Sequence, residues 1–262
     1  KNWEARFLMR VMELANEECC FELGSICVDY VRMHKDEEEI DLMRQSSLLN
    51  DQAIDQVIQL CAQGNLTEKQ VAKQLDGIFQ SLGCSGNSFE PIVGYGANGA
   101  DGHHGCDDST LKPGDSIVID MGGIYQGYCS DMTRTVFYKE VSDKQREVYE
   151  LVKKANEAAE AMIKPGVRLC DIDKTARDII SEAGYGPNFN HRLGHFIGRD
   201  VHEYGDVSAA FDMEVEPGMI FSIEPGIYIQ GEFGVRIEDL VLVTEDGCEV
   251  LNHYPKDLMI IG

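Results

Sequence analysis

Two Pro-Gly turns stand 104 residues apart, Lys112-Pro113-Gly114 and Glu216-Pro217-Gly218, and seven residues after each proline comes a carboxylate, Asp120 and Glu224. The flanking order repeats as well. Leu66 and Leu169 precede helix-like stretches, and Gly83 and Gly184 end them. A second carboxylate follows on each return strand, Asp131 and Glu238, the second hairpin being three residues longer. Ordered matches at a nearly constant offset imply one supersecondary unit present twice. The expected fold is α+β, with two helix–helix–hairpin units about a pseudo-twofold axis. Each unit would give two carboxylates to a shared centre.

The periodicity fills in the units. Residues 4–22 carry a mixed helical pattern, Ser25 to Val31 a short strand-like run, and His34 to Glu39 a charged boundary. A long helix is expected from about Glu37 to Cys61, with Ile40, Met43, Leu48, Ile54, Val57, Ile58 and Cys61 on its apolar side. Thr67 and Gln70 form a capping box for the next helix, which stops at Gly83. Pro91 to Gly105 is a Gly-rich loop, and Ser116 to Asp120 and Met132 to Tyr138 are strands around a Gly122-Gly123 turn. The second unit has helices over Asp143 to Ile163 and Cys170 to Ala183, a histidine-bearing loop, and strands at Met219 to Ile223 and Val235 to Val243.

The net charge of −23 disfavours a nucleic-acid partner, since phosphate is repelled. No apolar run is long enough for a transmembrane helix, so no membrane partner is expected. Nine scattered cysteines without a Cys-x-x-Cys pair exclude a zinc ribbon, and reduced thiols point to the cytoplasm.

The strand carboxylates carry the chemistry. Alternation places Asp120 on the same face as Val118, so it projects inward. Taken alone, it reads as a buried ion pair or a turn cap. Asp131, Glu224 and Glu238 lie in similar apolar strand contexts. Four buried carboxylates with few lysines nearby call for divalent cations. His195, in Leu-Gly-His-Phe-Ile-Gly, becomes the single nitrogen ligand. One imidazole with four carboxylates is a hard set that favours manganese, with iron, cobalt or zinc as alternatives. Two such ions sit about 3.5–4 Å apart and activate water for hydrolysis of an unactivated bond such as an amide. His103, His191 and His202 are suited to moving protons or stabilising an oxyanion. His34 and His253 read as loop-surface residues, and His104 stands evenly between the two readings.

These motifs, Val-Ile-Asp120-Met-Gly-Gly, Ser-Asp131-Met-Thr-Arg-Thr, Gly-His195-Phe-Ile-Gly-Arg-Asp-Val-His202-Glu, Ser-Ile-Glu224-Pro-Gly-Ile-Tyr and Gly-Val-Arg236-Ile-Glu238-Asp, resemble those of the pita-bread metallopeptidases over Val31 to Gly262. That family holds methionine aminopeptidases, prolidases and Xaa-Pro aminopeptidases, and the resemblance implies its pita-bread fold, the two units forming a curved antiparallel sheet covered by helices. Phe196, His191 and the Glu224-Pro-Gly-Ile-Tyr-Ile run are most similar to the proline-directed branch. The resemblance implies a dinuclear exopeptidase that cuts between an N-terminal residue and proline, with peptides bearing proline in second position as its substrates. It implies that Glu224 is also the general base on the water between the metals. His103 and His202 would bind the substrate carbonyl and stabilise the transition state, and His191 would line the proline pocket. Arg236 would orient Glu238 or pair with a substrate carboxylate. Residues 36–262 would be the catalytic domain and 1–35 the remnant of an N-terminal domain or linker, with a homodimer as the candidate assembly. Arg192 stands where the branch usually has Gly, Arg199 where it has an apolar residue, and Gly102 where Pro is common. Other readings are a methionine aminopeptidase-like or creatinase-like enzyme, or a module that binds peptides without cutting them. The ligand set disfavours the last two, and Phe196 disfavours the first.

Overall fold

A computed structural model describes residues 5–16 and 18–262. The first repeat opens with the long helix α3 (Glu37–Ala62), preceded by α1 (Ala5–Leu14) and α2 (Ser25–Met33) and followed by α4 (Glu68–Ser81). Next come β1 (Ile92–Tyr95), a short 3-10 turn (Gly96–Ala100), β2 (Ser116–Met121), the small strands β3 (Ile124–Tyr125) and β4 (Tyr128–Cys129), and β5 (Met132–Tyr138). The second repeat runs through α5 (Asp143–Met162), α6 (Leu169–Glu182), β6 (Gly194–His195), β7 (Asp206–Val207), β8 (Ile220–Ile223), β9 (Gly226–Ile229), β10 (Phe233–Arg236) and β11 (Asp239–Val243). The strands β12 (Cys248–Val250) and β13 (Ile260–Ile261) close the chain.

The duplication is visible at the level of single bonds. α4 and α6 are both 14 residues long, and Gly83 and Gly184 follow them with φ of 95° and 89°, the left-handed conformation that terminates a helix at little cost only for glycine. Asn50 of α3 donates to the Met121 carbonyl at the end of β2, and Asn156 of α5 donates to the Ile223 carbonyl at the end of β8, both at 2.9 Å. Each long helix is thereby pinned to the hairpin end that bears its repeat's carboxylate. Each repeat also has its own core: α3, α4 and β2 bury Ile54, Val57, Leu75, Phe79 and Ile119, while α5, α6 and β8 bury Val152, Ala155, Ile172, Ile180 and Phe221.

The strands form a sheet ordered β1-β2-β5-β13, a second ordered β12-β11-β8, and the pair β10-β9. The repeats are stitched where β5 meets β10 and β11. Glu238 N donates to Thr133 O at 3.1 Å, and Thr135 Oγ1 bonds both the N–H and the carbonyl of Arg236. Beneath this seam lies Arg134, 1% exposed, which donates to Asp239 and to the carbonyls of Glu238 and Tyr254, each at 2.7 Å.

Several local expectations hold, among them the Thr67–Gln70 capping box. Others differ for physical reasons. Leu48, expected on the apolar side of the long helix, is 41% exposed, and its neighbour Leu49 packs against the core instead. Ser25 to Val31 is helical rather than extended. Its β-branched Ile26, Val28 and Val31 are exposed, and the turn of helix instead buries Met33 and brings Arg32 to Asp200 and Glu203. The helix expected over 4–22 ends at Leu14, where the Asn16 side chain captures the N–H of Glu18 in a turn; Glu4 and Glu17 lie outside the described residues. The Gly122-Gly123 turn is wider than expected. It holds the β3–β4 hairpin, whose tip takes positive φ at Gln126 and Gly127. The expected loop at Pro91 to Gly105 contains the edge strand β1, and the strand expected over Val235 to Val243 breaks at Ile237-Glu238.

Candidate metal centre and active-site cleft

Glu238 sits at that break and Asp131 immediately before β5, so both carboxylates occupy irregular backbone where two sheets meet. Strand alternation then adds neighbours two or four residues away: Thr133 beside Asp131, Arg236 beside Glu238, and Tyr228, four residues on, on the face of Glu224. Gly226 lies between Glu224 and Tyr228, and a Cβ there would meet the Tyr228 hydroxyl at 2.6 Å. The ring reaches the cavity because position 226 has no side chain.

The structure brings Asp120, Asp131, His195, Glu224 and Glu238 together in one cleft of about 440 Å³, together with His103, His191, His202 and Arg236. His195 Nε2 stands 3.5 Å from Asp131 Oδ2 and 3.6 Å from Glu224 Oε1. Its backbone N–H is fixed by Ser222 Oγ at 3.0 Å, and His202 packs edge-on against its ring at 4.3 Å between centroids. Asp120 Oδ1, Asp131 Oδ1 and Glu238 Oε1 are buried and accept no hydrogen bond. Unmatched buried carboxylate oxygens are costly, so the sequence has placed acceptors here for something that is not an N–H or O–H donor. Burial first, and then the neighbouring carboxylates, raise Asp131 and Glu238 well above the ordinary range. Burial pushes Glu224 up to about 7 against the pull of His195 and Arg236. Divalent cations would reverse that balance by satisfying the free lone pairs and holding the carboxylates ionised. The residues present therefore fit a divalent metal centre.

Arg236, expected to orient Glu238 or to pair with a substrate carboxylate, has its Nη2 on Asp120 Oδ2 at 2.5 Å and is linked to Glu238 through Thr133. Arg236 Nε donates to Thr133 Oγ1 at 3.0 Å, which donates to Glu238 Oε2 at 2.7 Å. Its Nη1 donates to the Tyr228 hydroxyl at 2.8 Å. That hydroxyl in turn donates to His191 Nε2 at 3.0 Å, so the His191 proton lies on Nδ1, bonded to the Arg192 carbonyl at 2.6 Å. Thr133 and Tyr228 were missed from the sequence, although both lie inside quoted motifs two and four residues from a carboxylate. Strand alternation would have found them.

Of the two unusual arginines, Arg192 lines the cleft and pairs with Asp206, whereas Arg199 lies over the Tyr128 ring and does not line it. His104 turns away from the cleft to Glu68, and His34 bonds Glu216.

His191 is pushed down to about 4, by burial first and then by Arg236. An imidazole held neutral stabilises the fold fully above its ordinary 6.5, and that stability is lost as pH falls through 4. A His191→Gln chain is expected to lose less urea resistance between pH 6.5 and 4 than the parent. Equal losses would contradict the buried neutral imidazole.

An α+β fold of two repeats with a carboxylate–histidine cleft at their junction is the frame in which the relatives of this chain are found. The chain belongs to metallopeptidase family M24, whose model matches residues 41–245. It is similar to an uncharacterized peptidase of Staphylococcus aureus (strain MSSA476), 42% identical over 231 residues, 88% of this chain and 66% of that protein. Among solved structures it resembles a dipeptidase from Pyrococcus horikoshii, with a TM-score of 0.92 and 36% identity over 99% of this chain and 72% of that one. It also resembles an X-Pro aminopeptidase from Thermotoga maritima, with a TM-score of 0.89 and 37% identity over 97% and 72%. The chain spans a little under two thirds of the length of the curated relatives it matches.

Proposed function

We propose that this chain carries the catalytic centre of an exopeptidase that hydrolyses the bond between an N-terminal residue and proline. The observation that carries the reading is the set of three buried, unpartnered carboxylate oxygens beside His195 in a cleft that also holds His103, His191 and His202. Asp120, Asp131, His195, Glu224 and Glu238 would hold two divalent ions, with manganese favoured and cobalt, iron or zinc as alternatives. When bound, these would polarise the scissile carbonyl and lower the pKa of water. The residues of the chain do the rest. Glu224 accepts the proton of the attacking water at its carboxylate and returns it to the leaving nitrogen. His103 and His202 stabilise charge as it develops on the carbonyl oxygen. His191, fixed by Tyr228, faces the substrate, and Phe89, Ile92 and Val201 give the cleft apolar wall suited to a proline ring. Arg236 holds Asp120 and, through Thr133, Glu238.

The relatives include both a dipeptidase and an X-Pro aminopeptidase, and this reading covers either. A cytoplasmic setting is part of it, resting on the scattered free thiols. The test is a panel of Xaa-Pro dipeptides and longer Xaa-Pro peptides beside Met-Ala-Ser peptides and creatine, each with manganese, cobalt, iron and zinc. Release of the residue before proline is expected in at least one metal form. Bound metal with no Xaa-Pro cleavage in any form would overturn the proposal.

A further inference from the structure

The segment that carries His103 hangs on a carboxylate of α4 that does not line the cleft. Glu68, in the first turn of α4, is fully buried, and its two oxygens accept four hydrogen bonds from points along residues 95–107. Oε1 takes the Tyr95 N–H at 2.7 Å and Asn98 Nδ2 at 2.9 Å. Oε2 takes His104 Nε2 at 2.7 Å and the Asp107 N–H at 3.0 Å. Glu68, His104 and Asp107 lie close enough together to suggest a second cation site. The hydrogen bonds argue otherwise, because four donors already occupy the four lone-pair positions of Glu68.

The turn at 101–105 is otherwise held mainly to itself, by His103 N to Asp101 Oδ1 at 3.0 Å and His104 N to Asp101 O at 3.1 Å. Among the described residues, its outward hydrogen bonds are Asp101 N to the Asn98 carbonyl at 3.1 Å where the turn begins, a long one from Arg236 to the Gly102 carbonyl, 3.5 Å, and the short one from His104 to Glu68. His103 projects into the cleft between the last two of these ties.

We propose that Glu68 and His104 are positioning residues for His103, a clamp that fixes the turn so that its imidazole meets the substrate carbonyl. The inference rests on the proposed peptidase activity. Nε2 of His104 must carry the proton to donate to Glu68, and a glutamine at 104 can donate from a similar place, whereas leucine cannot. The clamp serves a group that acts as charge develops, so its loss falls on kcat rather than KM.

The test compares His104→Leu and His104→Gln, each with and without His103→Ala. His104→Leu is expected to lower kcat on an Xaa-Pro peptide about 10- to 100-fold, the scale of a small misplacement of a catalytic group. KM and bound metal should hold, His104→Gln should recover most of the loss, and His104→Leu should add nothing once His103 is alanine. A loss of the same size in both backgrounds, or a glutamine variant no better than leucine, would overturn the clamp. Hydrogen exchange of amides 101–105 in chelator-treated protein gives a reading independent of turnover. Exchange should quicken in the leucine variant and not in the glutamine variant, and equal exchange in all three forms refutes the clamp even if no peptide is cut.

Discussion

A Glu238→Gln chain is expected to lose its metal and about 10³-fold or more of its kcat/KM, and yet to melt at a higher temperature than the parent once both are treated with chelator. The first part follows from the site: cations contribute several kcal/mol to hydrolysis, and each 1.36 kcal/mol is tenfold in rate. The second part separates a metal ligand from a structural carboxylate. Glu238 is 1% exposed, its Oε1 has no partner, and burial together with Asp131, Glu224 and Asp120 raises it well above its ordinary value. Without cations, those carboxylates repel one another, and removing one charge relieves the repulsion. The amide can still accept from Thr133 through its oxygen. Metal analysis with paired melting curves checks both halves. A variant that keeps its metal, or whose chelated form melts lower, would remove Glu238 from the ligand set. Asp120→Asn should also lose metal and activity, but it weakens the Arg236 pair, so its chelated form should gain less stability.

Arg134→Met is expected to be the most damaging single change to the fold, destabilising by about 3–5 kcal/mol, the usual result of leaving half of a buried ion pair. Arg134 and Asp239 are both almost wholly buried, 2.7 Å apart. Burial alone would raise Asp239, but Arg134 and Lys256 outweigh it and hold it below 3.8. The stability this supplies is present above that value and is lost as pH falls below it. Methionine fills most of the volume but leaves buried Asp239 with Lys256 alone and frees the carbonyls of Glu238 and Tyr254. Because the Glu238 carbonyl belongs to the seam between the repeats, metal affinity should fall as well. Urea unfolding and a metal titration test the two effects. A loss below about 1 kcal/mol, the range of exposed pairs, would contradict this account of the seam.

The sequence was most legible where period and duplication reinforce each other. The long helix α3 came from period, the Thr67–Gln70 cap from its motif, and the two core hairpins and four carboxylates from register, with His195 added from its setting beside them. The structure places those ligands in one cleft with His103, His191, His202 and Arg236. It was least legible where tertiary contacts override local preference. The β-branched run at 25–31 became helix because the ion pairs of Arg32 lie on the loop that bears His202. The partners of Arg236 were not readable either, since Asp120 lies 116 residues away and Thr133 103. The role of His104 was undecidable from sequence because Glu68 sits on another helix, inside a run that reads only as a helix start.

The central claim is a two-cation peptidase centre built from Asp120, Asp131, His195, Glu224 and Glu238. Stepwise manganese titration of chelator-treated protein by calorimetry, with turnover of an Xaa-Pro dipeptide measured at each point, tests it most directly. The account predicts saturation at two equivalents per chain, with turnover absent before metal is added and rising as the sites fill. Saturation at one equivalent, or turnover that persists in chelator, would contradict it.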